Sequence, residues 1–436
     1  MTIRKGSREE RPPGFTYRSG RTGRTLCCDE VPAERLAQRF DTPLYVYSAT
    51  AIRENVAAFK RAFAKQSHTI CYSVKANSNL AVLRLMASLG CGFDVVSGGE
   101  LMRVIVAGKD AAAGVVFSGV GKTAVEMDAA LDAGILLFNL ESEAELALLG
   151  ERAAKLKKTA RISFRVNPDV KAETHPYIST GLRQHKFGVP ITKARELYRQ
   201  AATFTYLDPV GVSVHIGSQI TDVKPFGETM ERVLTLVRQL AEDGLNISFV
   251  DAGGGLGINY KDASLTEREH RIKAYAAALT GPIRKTGLHL LLEPGRSLVA
   301  AAGTLLTRAL FAKENGGKKF LVVDAAMNDL IRPSLYGAHH EIVLATPHKT
   351  SAETASGVMD VVGPICETGD FFAREREMPP VAAGDLLAIL DAGAYGMSIS
   401  SNYNTRGRAA EVLVDGKTVR LVRRRESFED MIRNEI

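Results

Sequence analysis

The chain has 436 residues, 45% of them hydrophobic and 24% charged, which is enough to bury a full barrel core and to build a second domain. It has no run of about 18 apolar residues, and its first residues, Met1–Pro13, are polar and charged, so we expect no membrane span, no membrane partner and no secretory signal. The net charge of +7 is spread along the chain without interleaved aromatic residues, which disfavours nucleic-acid binding and fits attraction of small anions.

A series of short apolar or β-branched runs, each followed by a helical pattern, occupies the middle of the chain. The predicted strands are Thr69–Val74, Gly92–Val96, Gly114–Phe117, Ile135–Leu140, Arg161–Val166, Val210–His215, Ile247–Asp251 and Leu288–Glu293. Such units, repeated over about 250 residues, predict an α/β fold, a (β/α)8 barrel with its active site at the C-terminal ends of the strands. A doubly wound open sheet also binds ligands at strand ends, but the count of strands favours the closed barrel.

Beyond Val299 the chain consists of short strand-like segments separated by turns such as Glu314–Gly317 and Asp415–Gly416. These segments are Leu305–Ala312, Lys319–Val323, Gly357–Val362, Asp385–Leu390, Ala409–Val414 and Thr418–Arg423. They predict an all-β domain, to which the turn-rich segment Gly14–Cys28 is expected to add a strand. The predicted regions are the N-terminal segment 1–43, which joins the β domain, the barrel 44–299 and the C-terminal β domain 300–436.

Lys75 closes the first predicted barrel strand. A lysine at such a place can be desolvated, which lowers the pKa of its amine enough for a Schiff base to form. An isolated lysine at a strand tip more commonly lies along the surface. Lys75 is not isolated, because other polar motifs also close apolar runs, and we therefore interpret it as the anchor of a cofactor aldehyde. These motifs are His215–Ser218, Asp251–Gly257 and Glu293–Arg296.

The glycines of Asp251–Gly257 follow the seventh predicted strand, where their backbone N–H groups can converge on a phosphate. Ile258 stands where a dinucleotide fingerprint has its last glycine, so a phosphate site is favoured over a Rossmann site. A tight turn without a ligand is the alternative interpretation. His215 suits a flat ring beside an aromatic cofactor, and the hydroxyl of Ser218 suits its phosphate, although a lone histidine in an apolar strand is more often structural.

Glu293 indicates the type of reaction. A carboxylate that faces a pyridine nitrogen keeps this nitrogen protonated, which makes the ring a strong electron sink for a carbanion. An arginine there would leave the nitrogen neutral, as suits racemisation, so Glu293 favours decarboxylation. An ion pair between Glu293 and Arg296 across the turn is the alternative.

Together these motifs resemble the diaminopimelate decarboxylases, which are pyridoxal-phosphate enzymes with an alanine-racemase-like, fold-type III barrel. The resemblance runs from about Phe15 to Val414 and includes Thr42–Ser48, Tyr72–Asn77, Phe93–Glu100, Thr180–Gly188, Cys366–Asp370 and Asp391–Tyr395. It implies that Lys75 carries pyridoxal 5'-phosphate as an internal aldimine and that His215 stacks on the ring. It further implies that the cofactor is surrounded by Asp94, Ser218, Gly254, Gly255, Glu293, Gly295, Arg296 and Tyr395.

The distal end of a diamino diacid carries a carboxylate and an ammonium group, and both must be recognised. Arg296 and Arg332 suit the carboxylate and Glu367 suits the ammonium. Tyr336, which stands four residues after Arg332, can add a hydroxyl donor, and Tyr395 is expected to reach the phosphate or the substrate. Each arginine alone would more commonly form a surface salt bridge.

Cys366 stands beside Glu367, far along the chain from Lys75. The resemblance implies a homodimer in which Cys366 of one subunit protonates the carbanion in the active site of the other. A buried structural cysteine is the ordinary alternative. The five cysteines lack CxxC or Cys/His metal spacing, so we expect no metal site and a reducing, cytoplasmic location.

The sequence therefore predicts the decarboxylation of meso-2,6-diaminopimelate to L-lysine and CO₂, the last step of lysine biosynthesis. The stereochemistry is implied by the resemblance alone. A related basic amino acid or carboxynorspermidine decarboxylase is the alternative enzyme. A catalytically silent, polyamine-regulator-like binding protein is the alternative of another class, and the presence of Lys75 and Cys366 argues against it.

Overall fold

The computed structural model describes residues 14–20, 23–170, 186–261, 264–347 and 355–436. Two parts of the prediction, Met1–Pro13 and the first residues of the Thr180–Gly188 motif, lie outside these ranges. The chain forms two compact units. The barrel unit consists of Val56–Ile258 and Glu269–Ser297, and the β unit consists of the residues up to Asn55 with Asn259–Arg268 and Leu298–Ile436.

Strands and helices of the described residues are numbered in chain order. The strands are β1 Phe15–Gly20, β2 Gly23–Cys28, β3 Val31–Pro32, β4 Leu44–Ser48, β5 His68–Ser73, β6 Gly92–Val95, β7 Val115–Phe117, β8 Leu137–Leu140, β9 Ala160–Asn167, β10 Val189–Pro190, β11 Leu207–Ser213, β12 Phe249–Asp251, β13 His289–Leu292, β14 Gly303–Asn315, β15 Lys318–Val323, β16 Ile342–Leu344, β17 Ala355–Val362, β18 Phe371–Val381, β19 Leu386–Ile389, β20 Ala410–Asp415 and β21 Thr418–Arg423. The helices are α1 Ala33–Phe40, α2 Ala49–Ala62, α3 Leu80–Ser88, α4 Gly98–Ala107, α5 Ala124–Ala133, α6 Glu143–Leu156, α7 Ile191–Ala201, α8 Lys224–Glu242, α9 Leu265–Ile283, α10 Arg296–Val299, α11 Arg332–Tyr336 and α12 Phe428–Ile432. None of these helices is both long and apolar enough to cross a membrane.

The parallel strands of the barrel unit close into a ring. They are hydrogen-bonded in the order β9-β11-β12-β13-β5-β6-β7-β8, and β8 pairs back onto β9, where Phe138 aligns with Ile162. The short strand β10 extends β9. All the predicted barrel strands are present, with ends displaced by a few residues, and a helix follows each of them. The predicted (β/α)8 barrel is confirmed, and the closed ring rules out the open sheet.

Short polar loops carry the chain from strand to helix on the C-terminal side of the barrel. Ser97 caps α4 by accepting a hydrogen bond from the amide of Glu100 at 3.2 Å, and Thr123 forms a capping box with Glu126 at the start of α5. Such caps satisfy amides that have no partner within the helix. They define where α4 and α5 begin, and thereby the length of the loops that follow β6 and β7.

The β unit contains a large sheet with the order β18-β17-β15-β14-β4-β20-β21, in which β19 pairs with β14 and β16. The predicted C-terminal strands are all present, and the region is confirmed as a mainly β domain, with α11 and α12 as its short helices. The hairpin turns include Gly316, Gly317 and Gly416, each with a positive φ, which is the conformation that the predicted turns require. The strands β16 and β18 were missed by the prediction.

The N-terminal strands belong to the β unit, as predicted, but they do not extend its large sheet. Instead β1, β2 and β3 form a small antiparallel sheet, and the amide of Leu26 donates to the carbonyl of Ala345 at 2.7 Å. Phe15 and Leu26 pack in one core with Leu44 and Val412. The structure also differs from the predicted limits: β4, placed in the barrel by a boundary at residue 44, pairs with β14 and β20 of the β unit.

Candidate active site

Lys75 lies on a single 3-10 turn, Val74–Ala76, directly after β5. Its Nζ is 2.5 Å from Oδ2 of Asp94, a fully buried carboxylate on β6, and the hydroxyl of Ser73 lies 2.8 Å from the same oxygen. The Lys75 side chain is 37% exposed. Contrary to the expected desolvation, an ion pair holds this amine at the end of the strand, where solutes can reach it.

The glycine-rich loop after β12 is packed tightly between its neighbours. A methyl group on Gly254 would lie 2.2 Å from the carbonyl oxygen of Glu293, and one on Gly255 would lie 2.5 Å from the carbonyl oxygen of Gly217. Gly255 also has a φ of +98°, which favours glycine. Glycines are therefore needed for the loops after β11, β12 and β13 to meet, and their bare backbone forms a cradle that fits a phosphate group.

Ser218 and Arg296 join two of these loops. The guanidinium of Arg296, largely buried at the start of α10, donates from Nη2 to the hydroxyl of Ser218 at 3.2 Å. Gly295, the residue before Arg296, is buried. A guanidinium and a hydroxyl beside a glycine cradle are donors that suit an anion.

His215 is partly buried after β11, and its Nδ1 accepts a hydrogen bond from the amide of Gly254 at 3.2 Å. This bond leaves the ring proton on Nε2. Burial, with the charges of Arg165 and Lys75, lowers the pKa of His215 well below its usual value. The ring is therefore a neutral imidazole, which suits contact with the face of an aromatic ring.

The carboxyl of Glu293 follows β13 and is buried beside Asp251, with which it shares a hydrogen bond. The hydroxyl of Ser118 lies 3.3 Å from its Oε1. Burial, followed by the charges of Asp251 and Asp94, raises the pKa of Glu293 well above its usual value. Burial beside a second acid therefore favours the uncharged, protonated form of Glu293.

Arg332 and Tyr336 are the first and last residues of α11, so they lie on one face of this short helix in the β unit. The Nη1 of Arg332 is 2.7 Å from Nε2 of His340, and its guanidinium lies 4.8 Å from the ring centre of Tyr260. The Nδ1 of His340 is 2.8 Å from the carbonyl oxygen of Leu390, so this nitrogen carries the proton and Nε2 accepts from Arg332. The buried guanidinium is thus held in one orientation.

Cys366 and Glu367 are exposed on the loop between β17 and β18. Asp370 holds this loop by accepting hydrogen bonds from the amides of Ile365 and Met327, both at 2.7 Å. The amide of Cys366 donates to Oδ1 of Asn404 at 3.1 Å, and the hydroxyl of Tyr403 donates to Oε1 of Glu367. The backbone at Cys366 and the carboxylate of Glu367 are therefore each held by a separate hydrogen bond.

Tyr395 is partly buried and has a φ of +54°, in the left-handed region that aromatic residues rarely adopt. The next residue, Gly396, packs so closely that a methyl group there would lie 2.6 Å from the hydroxyl of Tyr45. Such backbone strain persists where the surroundings impose it, and it is concentrated at functional sites.

The structure brings most of the predicted cofactor residues to one end of the barrel. These are Lys75, Asp94, His215, Ser218, Gly254, Gly255, Glu293, Gly295 and Arg296. In the β unit it places Arg332 beside Tyr336, and Cys366 beside Glu367. Tyr395 stands between β19 and β20 of the same unit, next to Gly396, which packs against Tyr45. The chemical roles assigned to these residues stay predictions.

Sequence reasoning missed several polar residues at the same end of the barrel. Asn139 on β8 donates from Nδ2 to Asp251 at 2.7 Å, and Arg165 on β9 lies 3.3 Å from Oε1 of Glu141. Ser118 directly follows β7. Each of them stands at or near the end of a predicted strand, which is the signal that could have found them. His340 and Tyr403 carry no such signal, because neither stands at the end of a predicted barrel strand.

The comparisons with known proteins first define a class. Residues 49–300, which include Lys75, His215 and Glu293, match the family model of the pyridoxal binding domain of pyridoxal-dependent decarboxylases. The barrel is thus the pyridoxal-binding domain of a pyridoxal-dependent decarboxylase. The predicted cofactor, pyridoxal phosphate, is confirmed.

Individual relatives define the family within this class. The diaminopimelate decarboxylase of Neisseria meningitidis serogroup A is 52% identical over 412 residues, which are 94% of this chain and 99% of that protein. The enzyme of Pseudomonas aeruginosa is 49% identical over 421 residues, 97% of this chain and 98% of that protein. The crystal structure of the Helicobacter pylori diaminopimelate decarboxylase complexed with L-lysine superposes with a TM-score of 0.86 at 41% identity, over 92% of this chain and 98% of that one. The chain belongs to the diaminopimelate decarboxylase family, as its motifs predicted.

Proposed function

We propose that this protein decarboxylates meso-2,6-diaminopimelate to L-lysine and CO₂ with pyridoxal phosphate as its cofactor, the last step of lysine biosynthesis. One observation carries the proposal. An amine that can bind an aldehyde, Lys75, shares the end of the barrel with a buried carboxylic acid, Glu293, and a glycine cradle. An anchor, an acid for the ring nitrogen and a phosphate site are the parts that a pyridoxal decarboxylase needs.

Pyridoxal phosphate, when bound, supplies an electron sink for the electron pair that remains on Cα after CO₂ leaves. Lys75 would hold the cofactor through Nζ, the amine that Asp94 orients from 2.5 Å. Glu293 would present its carboxyl to the ring nitrogen, and the neutral imidazole of His215 would cover the ring. Ser218 and Arg296, beside the glycines, would hold the phosphate.

We assign substrate binding to the residues that the sequence predicted for it. The guanidinium of Arg332, oriented by His340, offers planar donors for the distal carboxylate, and Tyr336 adds a hydroxyl from the same face of α11. The carboxylate of Glu367, supported by Tyr403, suits the distal ammonium group. Arg296 and Tyr395 complete the substrate-binding set. A purely cationic substrate would leave Arg332 without its counter-ion.

We further infer that the enzyme is a cytoplasmic homodimer with active sites shared between subunits. Cys366 would deliver a proton to Cα from the second subunit, next to Glu367. The exposure of both side chains in the β unit supports this proposal, since groups that serve another subunit must be accessible on their own.

Turnover on a panel of amino acids tests the function. Purified protein loaded with pyridoxal phosphate is incubated with meso-diaminopimelate, ornithine, arginine or carboxynorspermidine, and the release of CO₂ is followed. We expect turnover on meso-diaminopimelate, with L-lysine as the product, and little on the others. Faster turnover of ornithine or carboxynorspermidine would contradict the assignment. Binding without CO₂ release would indicate a silent binding protein.

A further inference from the structure

A chain of hydrogen-bonded polar side chains crosses the interior of the barrel to Glu293. The hydroxyl of Ser163, on β9, donates to Oδ1 of Asn139, on β8. The Nδ2 of Asn139 then donates to Oδ2 of Asp251 at 2.7 Å. Since β8 and β12 are not neighbours in the ring, this second bond spans the barrel interior. Asp251 in turn is hydrogen-bonded to Glu293, so the chain ends at the carboxyl that faces the cofactor.

The donors around Asp251 determine where its negative charge lies. Asp251 is fully buried and accepts hydrogen bonds from Asn139, from the amide of Gly253 at 2.9 Å and, at 3.4 Å, from the hydroxyl of Ser213. Ser163 fixes the amide of Asn139, so that its N–H and not its oxygen points at Asp251. Besides its hydrogen bond with Asp251, the carboxyl of Glu293 accepts from the hydroxyl of Ser118 at 3.3 Å.

Two carboxyls in contact in a buried site cannot both ionise, and their hydrogen bond requires a proton. The N–H donors stabilise the anion on Asp251, so the shared proton lies on Glu293. Burial raises the pKa of both carboxyls, but the hydrogen bonds from Asn139 and Gly253 oppose this rise for Asp251. The pair therefore carries one negative charge and one proton.

The other titratable groups that face the pair do not supply this negative charge in its place. Asp94 also faces the pair, but its Oδ2 is held apart from it: this oxygen accepts a hydrogen bond from Ser73 at 2.8 Å and, in the cofactor-free protein, pairs with Lys75 at 2.5 Å. Cys71 and Tyr275 are buried nearby, and burial together with the charges of Asp251 and Glu293 raises the pKa of each, so both stay neutral. The charge that a positive ring could balance is thus the charge of the Asp251–Glu293 pair.

We propose that Asp251, held by Asn139 and Ser163, is a positioning residue that acts through Glu293 to keep the ring nitrogen of bound pyridoxal phosphate protonated. The inference rests on the proposed function, because it takes Glu293 as the residue at that nitrogen. In the loaded protein the site holds two protons, one on the nitrogen and one between the carboxyls. The first enters with the cofactor and the second is already present, so the ring nitrogen and the two carboxyls are neutral as a group.

Asp251→Asn removes one carboxylate and one proton from this arrangement. The remaining proton is then shared by Glu293 and the ring nitrogen, and a desolvated site favours the uncharged pair with the proton on Glu293. The ring nitrogen should therefore become largely neutral. Because the electron sink is needed only as the carbanion forms, we expect kcat to fall by about 10- to 100-fold, as for other supporting residues, with little change in KM.

The decisive measurement is the ¹⁵N NMR shift of the ring nitrogen in protein loaded with ring-labelled pyridoxal phosphate, without substrate. Wild type should show a protonated nitrogen and Glu293→Gln a neutral one, which defines the two ends of the scale. Asp251→Asn should lie near the neutral end, and Asn139→Ala, which removes the donor to Asp251, should move in the same direction. Ser213→Ala, which removes only the 3.4 Å contact, should stay with wild type.

The readout separates this inference from the proposed function. The shift is measured without turnover, so it can be read even if the protein does not act on meso-diaminopimelate. Should Asp251→Asn fail to fold or to bind the cofactor, Asn139→Ala decides. A fully protonated nitrogen in a folded, cofactor-loaded Asp251→Asn or Asn139→Ala protein would overturn this proposal. It would not affect the assignment of the protein as a decarboxylase.

Discussion

Replacing Gly254 with alanine tests the idea that close contact between loops forms the phosphate cradle. The new methyl group would lie 2.2 Å from the carbonyl oxygen of Glu293, far inside van der Waals contact. This oxygen belongs to the backbone and cannot swing aside as a side chain can. The φ of Gly254 is not in the left-handed region, so the penalty is purely steric. Relieving such overpacking costs about 1–3 kcal/mol and spreads the loops after β12 and β13.

If the methyl group destabilises the cofactor-bound protein by this amount relative to the cofactor-free protein, the affinity for pyridoxal phosphate should drop by about 5- to 150-fold. The assay is a titration of cofactor-free protein with pyridoxal phosphate, followed by the absorbance of the bound cofactor. Gly227→Ala is the matched control, because a methyl group there, in helix α8, meets only the carbonyl oxygen of Ala278 at 3.7 Å. It should stabilise the protein by about 0.5–1 kcal/mol and leave cofactor affinity unchanged. Wild-type affinity in Gly254→Ala would refute the cradle.

Three further outcomes are expected. Glu293→Gln should bind pyridoxal phosphate yet lower kcat far more than it raises KM, as measured by steady-state kinetics; a loss confined to KM would make this carboxyl structural. Lys75→Ala and Cys366→Ala proteins should each be inactive, but mixing them under subunit exchange should restore up to about a quarter of wild-type activity per total site, because each mixed dimer regains one intact site; no recovery despite proven heterodimers would place Cys366 within its own chain. Asp329, buried in the β unit, has a pKa raised by burial from 3.8 to about 6, so the folded state binds its proton more tightly. The stability of wild type relative to Asp329→Asn, measured by urea unfolding, should therefore fall as the pH rises from about 4 to about 6, and a difference that does not vary with pH would contradict this burial.

The barrel could be predicted because its strands are covered by helices and read as continuous apolar runs. Each residue of β6, for example, is buried. The edge strand β18 could not be predicted, because it exposes charged residues such as Arg374 and Glu375 along its length and shows no apolar alternation. The strand β4 was assigned to the wrong unit because its partners, around Gly303 and Ala410, are hundreds of residues away.

At the candidate site, the residue types at the strand ends were predictable and their partners were not. The position of Lys75 follows from the local pattern, but its ion pair with Asp94 depends on the neighbouring strand and replaces the expected desolvation. The support of Arg332 by His340 and Tyr260 arises from tertiary packing that no short motif encodes. The coupling of Asp251 to Glu293 likewise depends on the pairing of β12 with β13, which no local motif encodes.

Product analysis in heavy water tests the central claim most directly. Protein loaded with pyridoxal phosphate is incubated with meso-diaminopimelate in D₂O, and the products are examined by mass spectrometry and NMR. The account predicts one CO₂ for each L-lysine, with a single deuterium on the carbon that lost its carboxylate, and no product from Lys75→Ala. Deuterium exchange or racemisation of the substrate without CO₂ release by the wild-type protein would contradict it.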